Sequence, residues 1–259
     1  MTILSSTFFP KKTIKQFKLL PSTNDFASKW CQSSELPPEG SVIIADNQTK
    51  GKGQTGNTWQ SQDELNLTFS MVYYPTFLKL DQLFALNMIT SLAVRDSLKH
   101  LPLLNLHVKW PNDILINHQK VAGILIRNSL AGKNLASSII GIGLNVNQTI
   151  FPKEIPNATS LHLATGQTID KAEILNRIIQ NFEESYIALQ AGQYSKIKEK
   201  YLEQLYLKGQ KNIFFRKDGS SFQGRIVDIQ DTGHLLVDIQ GKIEAFDFQT
   251  IRFPPQLIN

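Results

Sequence analysis

Residues 109–124 read KWPNDILINHQKVAGI, and this stretch predicts two short antiparallel strands joined by a tight turn. Pro111 disfavours the helical conformation in the residue before it, so a bend is expected just ahead of the first strand. The pair Asn117-His118 suits a tight hairpin turn between two apolar runs. If the hairpin forms, Lys120 returns beside Asp113 at the head of the second strand.

Lys120 opens an apolar strand, where a buried ammonium group needs a charge partner. Asp113 or a substrate anion would supply that partner. Ala122 and Gly123 are small and leave room for a ligand beside the lysine. We therefore expect Lys120 to stabilise negative charge on a carboxylate or a phosphate. The simpler interpretation is that Asn112 and Asp113 only shape a turn, as Asn-Asp pairs often do.

A second motif, QTKGKGQTGNTW at residues 48–59, is a polar and basic segment between two predicted strands, and we call it the glycine loop. Its glycines permit positive φ and a close approach of a ligand, and its N–H groups and lysines can form an anion site. It matches neither the Walker loop nor the dinucleotide fingerprint. A polar loop without function is the alternative, and Trp59 is expected to pack it against the core. The residues that carry the prediction are Lys50, Gly51, Lys52, Gly53 and Gly56.

Glycine also interrupts a later apolar strand, residues 137–146. Its isoleucines are typical of a buried strand. Gly141, Gly143 and Asn145 would let a ligand approach that strand as well.

Hydrophobic periodicity predicts a large α+β domain with a mostly antiparallel sheet, because neighbouring strands are joined by hairpins as well as by helices. A first helix is expected to start at Ser22, whose side chain can cap it. Another starts at Asp170, with Glu173 in the capping-box position. Apolar spacing predicts a long helix over residues 81–101. The remaining predicted elements are strands at 17–20, 41–45, 65–74, 106–110, 114–116, 120–127 and 137–146, and helical stretches at 170–191 and on to 207.

The pattern of predicted secondary structure changes after residue 207. Four short strands are predicted, separated by turns rich in Asp and Gly. Strands at this spacing suggest a small β-barrel domain, so the predicted domains are residues 1–207 and 208–259. The four strands are 213–215, 222–229, 235–239 and 243–248.

The bulk composition is that of an ordinary globular chain. Its 259 residues suggest one large domain, or one large and one small, and 41% hydrophobic residues suffice for a substantial core. The net charge of +5 comes from scattered lysines, which indicates a solvated surface. Cys31 is the only cysteine, so no intrachain disulfide can form. Since there is no signal-peptide pattern and no apolar run of about 18 residues, we expect no membrane association and a cytoplasmic location.

Five segments together resemble those of biotin–protein ligases, also called biotin–acetyl-CoA-carboxylase ligases. The segments are residues 22–24, 48–56, 109–113, 120–124 and 141–146. The resemblance implies a class II synthetase-like catalytic fold followed by an SH3-like β-barrel. It implies that biotin and MgATP give biotinyl-5′-AMP and pyrophosphate, and that a lysine of a biotin carboxyl carrier protein then takes the biotin and releases AMP. Positioning and electrostatics would carry such chemistry, without a covalent enzyme intermediate.

The resemblance also implies roles for individual residues. Lys120 is implied as the catalytic residue, near the reacting carboxylate and α-phosphate, and Asp113 as a group that orients phosphate or holds Mg²⁺. The implied biotin contacts are Ser22, Thr23, Asn24, Gln48, Gly51, Lys52, Lys120 and Gly123. The implied contacts of ATP or the adenylate are Lys52, Gly53, Gln54, Trp59, Asn112, Asp113, Asn145 and Arg252.

Two departures from the family pattern bear on these expectations. The family loop carries several arginines, whereas this glycine loop keeps one charge at Lys52 and has Gln54 and Asn57 at other such positions. We therefore expect the loop to hold an adenylate more by backbone hydrogen bonds than by charge. Some relatives carry an amino-terminal helix-turn-helix, and about 15 residues before the catalytic region are too few for that module. No sequence-specific binding of nucleic acid is expected.

The sequence is compatible with other functions. Lipoate–protein ligases and octanoyltransferases share the catalytic fold, and the acid that supports adenylate formation would separate them from a biotin ligase. A non-enzymatic nucleic-acid binder would rest on the net charge and on the basic residues of the small β domain, but few aromatics are interleaved with them. An edge of the sheet leaves a homodimer open, although nothing in the sequence marks an interface. The basic residues are Arg216, Lys217, Arg225, Lys242 and Arg252.

Overall fold

The computed structural model describes residues 8–254, and its larger sheet has seven strands. The strands are β1 (Ile14–Leu20), β2 (Val42–Gln48), β3 (Leu67–Tyr73), β4 (Leu106–Lys109), β5 (Asp113–Ile116), β6 (Gln119–Ala131) and β7 (Asn134–Leu144). Their spatial order is β1-β2-β3-β7-β6-β5-β4. β1 and β2 are parallel, whereas the other neighbours are antiparallel, as the hairpin connections predict.

The hairpin predicted from residues 109–124 is present. Asn117 and His118 both have positive φ, 47° and 68°, which is the conformation that a tight two-residue hairpin turn requires. The register pairs Lys109 with Asp113 and Asp113 with Gly123. The charged residues of the motif therefore lie on adjacent strands.

Helices cover the sheet. Within residues 8–254 the α-helices are α1 (Thr23–Trp30), α2 (Phe84–Ser97), α3 (Leu161–Thr165), α4 (Lys171–Gln190) and α5 (Tyr194–Glu203). Both predicted caps form, because Ser22 Oγ accepts from the N–H of Asp25 at 3.3 Å and Asp170 Oδ1 accepts from the N–H of Ala172 at 2.7 Å. α1 packs on one face of the sheet, and α2 contacts α4 and α5 on the other.

Two expectations about helix ends were wrong. α2 ends at Ser97, before residue 101, because the N–H groups of Leu98 and Leu101 bond three residues back in tight turns. A separate 3₁₀ turn, Leu80–Gln82, precedes α2. The last helix ends at Glu203, before residue 207, since the backbone around Gln204 pairs with β4 instead. α3 was not predicted.

The second sheet contains five strands in the order β11-β10-β9-β8-β12. They are β8 (Lys211–Arg216), β9 (Ser221–Ile229), β10 (Leu235–Ile239), β11 (Lys242–Phe246) and β12 (Ile251–Arg252), of which β12 was not predicted. This sheet shares a hydrophobic cluster with the larger one, and Trp110 Nε1 donates to the carbonyl of Gly233 at 2.9 Å. The division near residue 208 into two domains stays a prediction.

No helix in the described part of the chain is both long and apolar enough to cross a bilayer.

Candidate functional site

A cavity of about 200 Å³ lies where α1, the glycine loop and strands β5, β6 and β7 meet, and we call it the first cavity. Most of the residues predicted to bind biotin or the adenylate line it. They are Ser22, Thr23, Asn24, Gln48, Lys52, Gly53, Gln54, Trp59, Asn112, Asp113, Lys120 and Gly123. Sequence segments far apart in the chain thus converge on one space.

One wall of the first cavity is a network of hydrogen bonds. The N–H of Thr23 donates to Gln48 Oε1 at 2.7 Å. The Ser70 hydroxyl lies 2.7 Å from Thr23 Oγ1 and 2.6 Å from Asn24 Oδ1. Because an amide oxygen only accepts, Ser70 donates its single proton to Asn24 Oδ1 and accepts from the Thr23 hydroxyl. Asn24 Nδ2 donates to the carbonyl of Leu125 at 3.1 Å. Thr23, Asn24 and Ser70 are buried and Gln48 is half-buried, and hydrogen bonds hold their side chains in place, which suits recognition of a small polar group.

Glycines on β7 are needed for this geometry. A Cβ on Gly141 would lie only 2.5 Å from Asn24 Oδ1. A Cβ on Gly143 would overlap the indole ring of Trp59. The glycines of this strand do allow a close approach, but the groups that approach are the protein's own Asn24 and Trp59. The expected approach of a ligand to this strand stays a prediction.

The glycine loop closes on itself by backbone bonds. The N–H of Trp59 donates to the carbonyl of Gly51 at 3.0 Å, and Gly53 donates to Asn57 at 2.7 Å around a 3₁₀ turn, Gln54–Gly56. Gly51 does not line the first cavity, and a Cβ there would overlap the carbonyl oxygen of Trp59. Trp59 packs the loop against the strands, as expected, and its buried Nε1 has no hydrogen-bond partner.

The predicted return of Lys120 to Asp113 is confirmed. Lys120 Nζ lies 2.6 Å from Asp113 Oδ1, an ion pair whose angles are not those of a hydrogen bond. Asn112 holds the bend, since its Nδ2 donates to the carbonyl of Ile124 at 2.7 Å. Two adjacent strands therefore fix the separation of the lysine and the carboxylate.

Lys109 is a second cation at this place that the sequence reasoning did not assign to the site. It pairs in register with Asp113, and its ammonium group lies 5.3 Å from the ring centre of Phe253, the residue after β12. Burial lowers the pKa of Lys109, the nearby Asp113 raises it, and Lys120 lowers it, with a net pKa below the usual value. The sequence feature that could have identified Lys109 as a site residue is its position at the start of the KWPND motif.

A second cavity, of about 310 Å³, lies on the other side of Trp59 and is mainly apolar. It shares Trp59 and Lys120 with the first cavity. Asn145 lines it, and Asn145 Nδ2 donates to the carbonyl of Thr159 at 3.0 Å, whereas its buried Oδ1 has no partner. The segment after β7, which sequence reasoning left unassigned, forms the rest of the wall with Phe151, Ile155, Pro156, Asn157 and Ala158.

Asp25, in the first turn of α1, connects the first cavity to two cations. Its carboxylate lies 2.8 Å from Lys52 Nζ in the glycine loop and 2.6 Å from Arg127 Nη1 on β6. Burial raises the pKa of Asp25, but hydrogen bonds and charge from Lys52 and Arg127 outweigh burial, so the pKa is below its usual value. Asp25 and Arg127 were not predicted as site residues.

Arg252, predicted to contact the nucleotide, is exposed on β12 opposite Phe215 and lines neither cavity. Among residues 8–254, no group of three or more His, Cys, Asp or Glu side chains is arranged to hold a metal ion. Asp113 is a carboxylate in the wall of the first cavity. A metal ion at Asp113 would thus need further ligands from a substrate.

The arrangement of a mostly antiparallel sheet, a glycine loop over a lysine-lined cavity and a small carboxy-terminal β sheet defines a ligase-type catalytic fold. A structure of biotin protein ligase from Aquifex aeolicus in complex with biotin and ATP has this fold, with a TM-score of 0.77 and 27% identity over 94% of this chain and 100% of that one. The chain belongs to the biotin/lipoate A/B protein ligase family, whose sequence model matches residues 16–145.

Sequence relatives agree with this membership. The chain is 35% identical over 211 residues to the bifunctional ligase/repressor BirA of Bacillus spizizenii, which covers 80% of this chain but 64% of that protein. It is 29% identical to the biotin–[acetyl-CoA-carboxylase] ligase of Mycobacterium tuberculosis over 85% of this chain and 81% of that one. The chain thus spans less than two thirds of the Bacillus relative. The predicted α+β fold with a small carboxy-terminal β sheet is confirmed.

Proposed function

We propose that this protein is a biotin–protein ligase that activates biotin with MgATP and transfers it to a lysine of a biotin carboxyl carrier protein. The observation that carries the proposal is the position of Lys120, whose side chain borders both cavities while it pairs with Asp113 at 2.6 Å. A cation at the boundary of two cavities can hold two anions together that would otherwise repel each other. The names of the relatives support biotin as the acid.

The first cavity suits biotin. The ureido group of biotin offers two N–H donors and a carbonyl acceptor, and the wall formed by Thr23, Asn24 and Gln48 is polar and preorganised. Ser22 and Gly123 border the same space. With its ring at this wall, the ligand would direct its carboxylate toward Lys120.

The second cavity suits the adenine of ATP. Its apolar wall, with Phe151, Ile155 and Pro156, can bury a flat heterocycle, and the indole of Trp59 forms the opposite side. The unpartnered Oδ1 of Asn145 can accept a hydrogen bond from an amino group, and leaving it unpaired would be costly. The α-phosphate of the nucleotide would then lie toward Lys120.

In the first half-reaction a carboxylate oxygen of biotin attacks the α-phosphorus of ATP. A carbon–oxygen–phosphorus linkage forms, the bond to the β-phosphate breaks, and pyrophosphate leaves with the bonding electrons. Lys120 attracts both the carboxylate and the phosphate and so places the reacting atoms in contact. Asp113 orients Lys120 through their ion pair, and its strand partner Lys109 adds positive potential nearby.

Asp113 also fits as a magnesium ligand. Mg²⁺ takes oxygen ligands and usually binds through one or two carboxylates together with substrate phosphates, which matches a single carboxylate in the cavity wall. When bound, the ion would neutralise charge on the phosphates.

In the second half-reaction the neutral amine of the acceptor lysine attacks the carbonyl carbon of biotinyl-5′-AMP. The new carbon–nitrogen bond forms, the bond from the carbonyl carbon to the phosphate oxygen breaks, AMP leaves with the bonding electrons, and the amine proton passes to solvent. The glycine loop, with Gly53 and Gln54 at the first cavity, would cover the anhydride and exclude water until the carrier protein arrives. We propose that this reaction takes place in the cytoplasm, since it consumes ATP.

The test is ATP–pyrophosphate exchange by the purified chain with biotin, lipoate and octanoate in separate reactions. We expect exchange with biotin alone, followed by transfer of labelled biotin to an isolated carrier domain. Exchange with lipoate or octanoate instead would retain the role of Lys120 and change the substrate to that of a lipoate–protein ligase or an octanoyltransferase. No exchange with any of the three acids would contradict the proposal.

A further inference from the structure

Asp25 connects three elements that all border the first cavity. It belongs to α1, directly after the cavity residues Ser22 to Asn24. One carboxylate oxygen lies 2.8 Å from Lys52 of the glycine loop, and the other lies 2.6 Å from Arg127 of β6. Any motion of the loop away from the strands must therefore separate Lys52 from Asp25.

Residues 51–58 of the loop have little else that holds them by polar contacts, whereas Thr49 and Lys50 at its start donate their N–H groups to the carbonyls of Leu20 and Pro21. Among the described hydrogen bonds of residues 51–58, one reaches a residue outside the segment 51–59. Lys52 Nζ donates this bond to Asp25 Oδ1 at 3.0 Å. The other such bonds close the segment on itself. Trp59 at the end of the loop packs on Gly123 and Gly143, and its ring lies 5.8 Å from Lys120 Nζ.

Arg127 orients the carboxylate of Asp25 so that it can bind Lys52 of the glycine loop. Its guanidinium binds the carboxylate of Asp25 from a long paired strand, so the carboxylate is oriented before the loop closes. Two cations facing one carboxylate also leave one excess positive charge beside the first cavity, whose wall includes Lys52. An anionic ligand would be attracted by that charge, and loss of the Asp25 carboxylate would release the loop without removing either cation.

We propose that Asp25 is a positioning residue that holds the glycine loop over the first cavity through Lys52, with its carboxylate oriented by Arg127. Asp25 does not touch the reacting atoms. The consequence for the ligand rests on the proposed function, because it takes biotin as the occupant of the cavity. The consequence for the loop does not depend on any ligand.

The first experiment is hydrogen exchange of residues 51–58 in the ligand-free, full-length protein. Asp25→Asn removes the charge and keeps the shape, and we expect it to speed exchange of this segment by up to about fivefold, as loss of a partly exposed ion pair allows. Lys52→Met is expected to have the same effect. Since both variants remove one contact, the double variant should exchange no faster than either single variant.

The matched control is Asp46→Asn, on β2, whose carboxylate accepts a hydrogen bond from Gln16 and does not border the cavity. It should leave the exchange of residues 51–58 unchanged, and the melting temperature of every variant shows whether the fold is intact. Unchanged loop exchange in Asp25→Asn would overturn the proposal. So would single-variant effects that multiply in the double variant, because the two residues would then act independently.

The second experiment measures steady-state kinetics. In Asp25→Asn we expect the KM for biotin to rise about fivefold with kcat changed by less than twofold, since the residue positions the loop and not the reacting atoms. A loss confined to kcat would contradict a positioning role. If the wild-type chain does not use biotin at all, the proposed function fails, while the exchange experiment on the ligand-free protein still decides the role of Asp25.

Discussion

Two lysine–carboxylate pairs each place a lysine in the wall of the first cavity, and they differ in what holds them. Lys120 and Asp113 lie on neighbouring strands of the sheet, 2.6 Å apart, with backbone pairing on both sides. Lys52 and Asp25 lie 2.8 Å apart, but Lys52 belongs to a loop and its side chain is 46% exposed. The same chemistry thus serves two purposes. A pair fixed by strands can position reacting atoms, whereas a pair on a loop can break and reform as a ligand enters.

The largest effect is expected for the strand pair. Lys120→Ala should lower biotin-dependent ATP–pyrophosphate exchange by at least about 100-fold, because it removes a preorganised charge at the reacting centre. Lys133→Ala, in the exposed turn between β6 and β7, is the matched control and should retain exchange. Near-normal exchange in Lys120→Ala would show that the fixed pair does not carry the chemistry.

The second largest effect is expected when a larger side chain is introduced beside the pair of Lys120 and Asp113. A Cβ at Gly123 would lie 3.2 Å from Lys120 Nζ and 3.2 Å from the ring of Trp59, so valine there would fill the space between them. We expect Gly123→Val to weaken biotin binding by at least about 10-fold in calorimetry, the loss that 1.4 kcal/mol gives. Ser129→Val, exposed on the same strand, should bind biotin normally. Unchanged affinity in Gly123→Val would place biotin elsewhere.

Ligand binding should protect the glycine loop, which carries Lys52, from protease and leave the cleavage at Lys120 unchanged. Trypsin can cleave after Lys50 and Lys52 in the ligand-free protein, and we expect biotin with ATP to slow this cleavage several-fold as the loop closes. Cleavage after Lys120, between paired strands, should be slow in both states. Mass spectrometry of the fragments identifies the sites. Equal loop cleavage with and without ligand would contradict closure.

The smallest effect is on stability against acid. The pKa of Asp25 is lowered in the folded protein, so its pairs stabilise the fold at pH values above the unfolded pKa of about 3.9 and are lost as the pH falls through the lowered folded value. Asp25→Asn should therefore be less stable than the wild type by up to about 1 kcal/mol at pH 6. The difference should disappear toward pH 2. Urea unfolding at several pH values measures it, and a difference independent of pH would exclude a role for the charge.

Much of the site was predictable, because its motifs are local. The turn at Asn117 and His118 brings Lys120 back to Asp113 within a few residues, so the pairing followed from turn chemistry alone. The first cavity also follows from the resemblance, which named most of its lining residues. Roles for those residues remain proposals.

Other features could not be predicted, because they depend on contacts between distant segments. Asp25 and Arg127 are 102 residues apart, and nothing near either residue indicates the other. The wall at residues 151–158 is irregular backbone without periodicity. α2 was expected to extend further, since apolar spacing continues past the point where turns close it.

The sequence by itself determined the helix caps, the hairpin of residues 109–124, the glycine loop and the small β sheet, because short-range sterics and hydrogen bonding decide such features. Only the tertiary structure decided that Trp59 lies on Gly143 between two cavities and that Asp25 meets both Lys52 and Arg127. These contacts exist because the sheet order puts β7 between β3 and β6 and lays α1 across them. Strand order is set by burial of the whole core, which no single segment encodes.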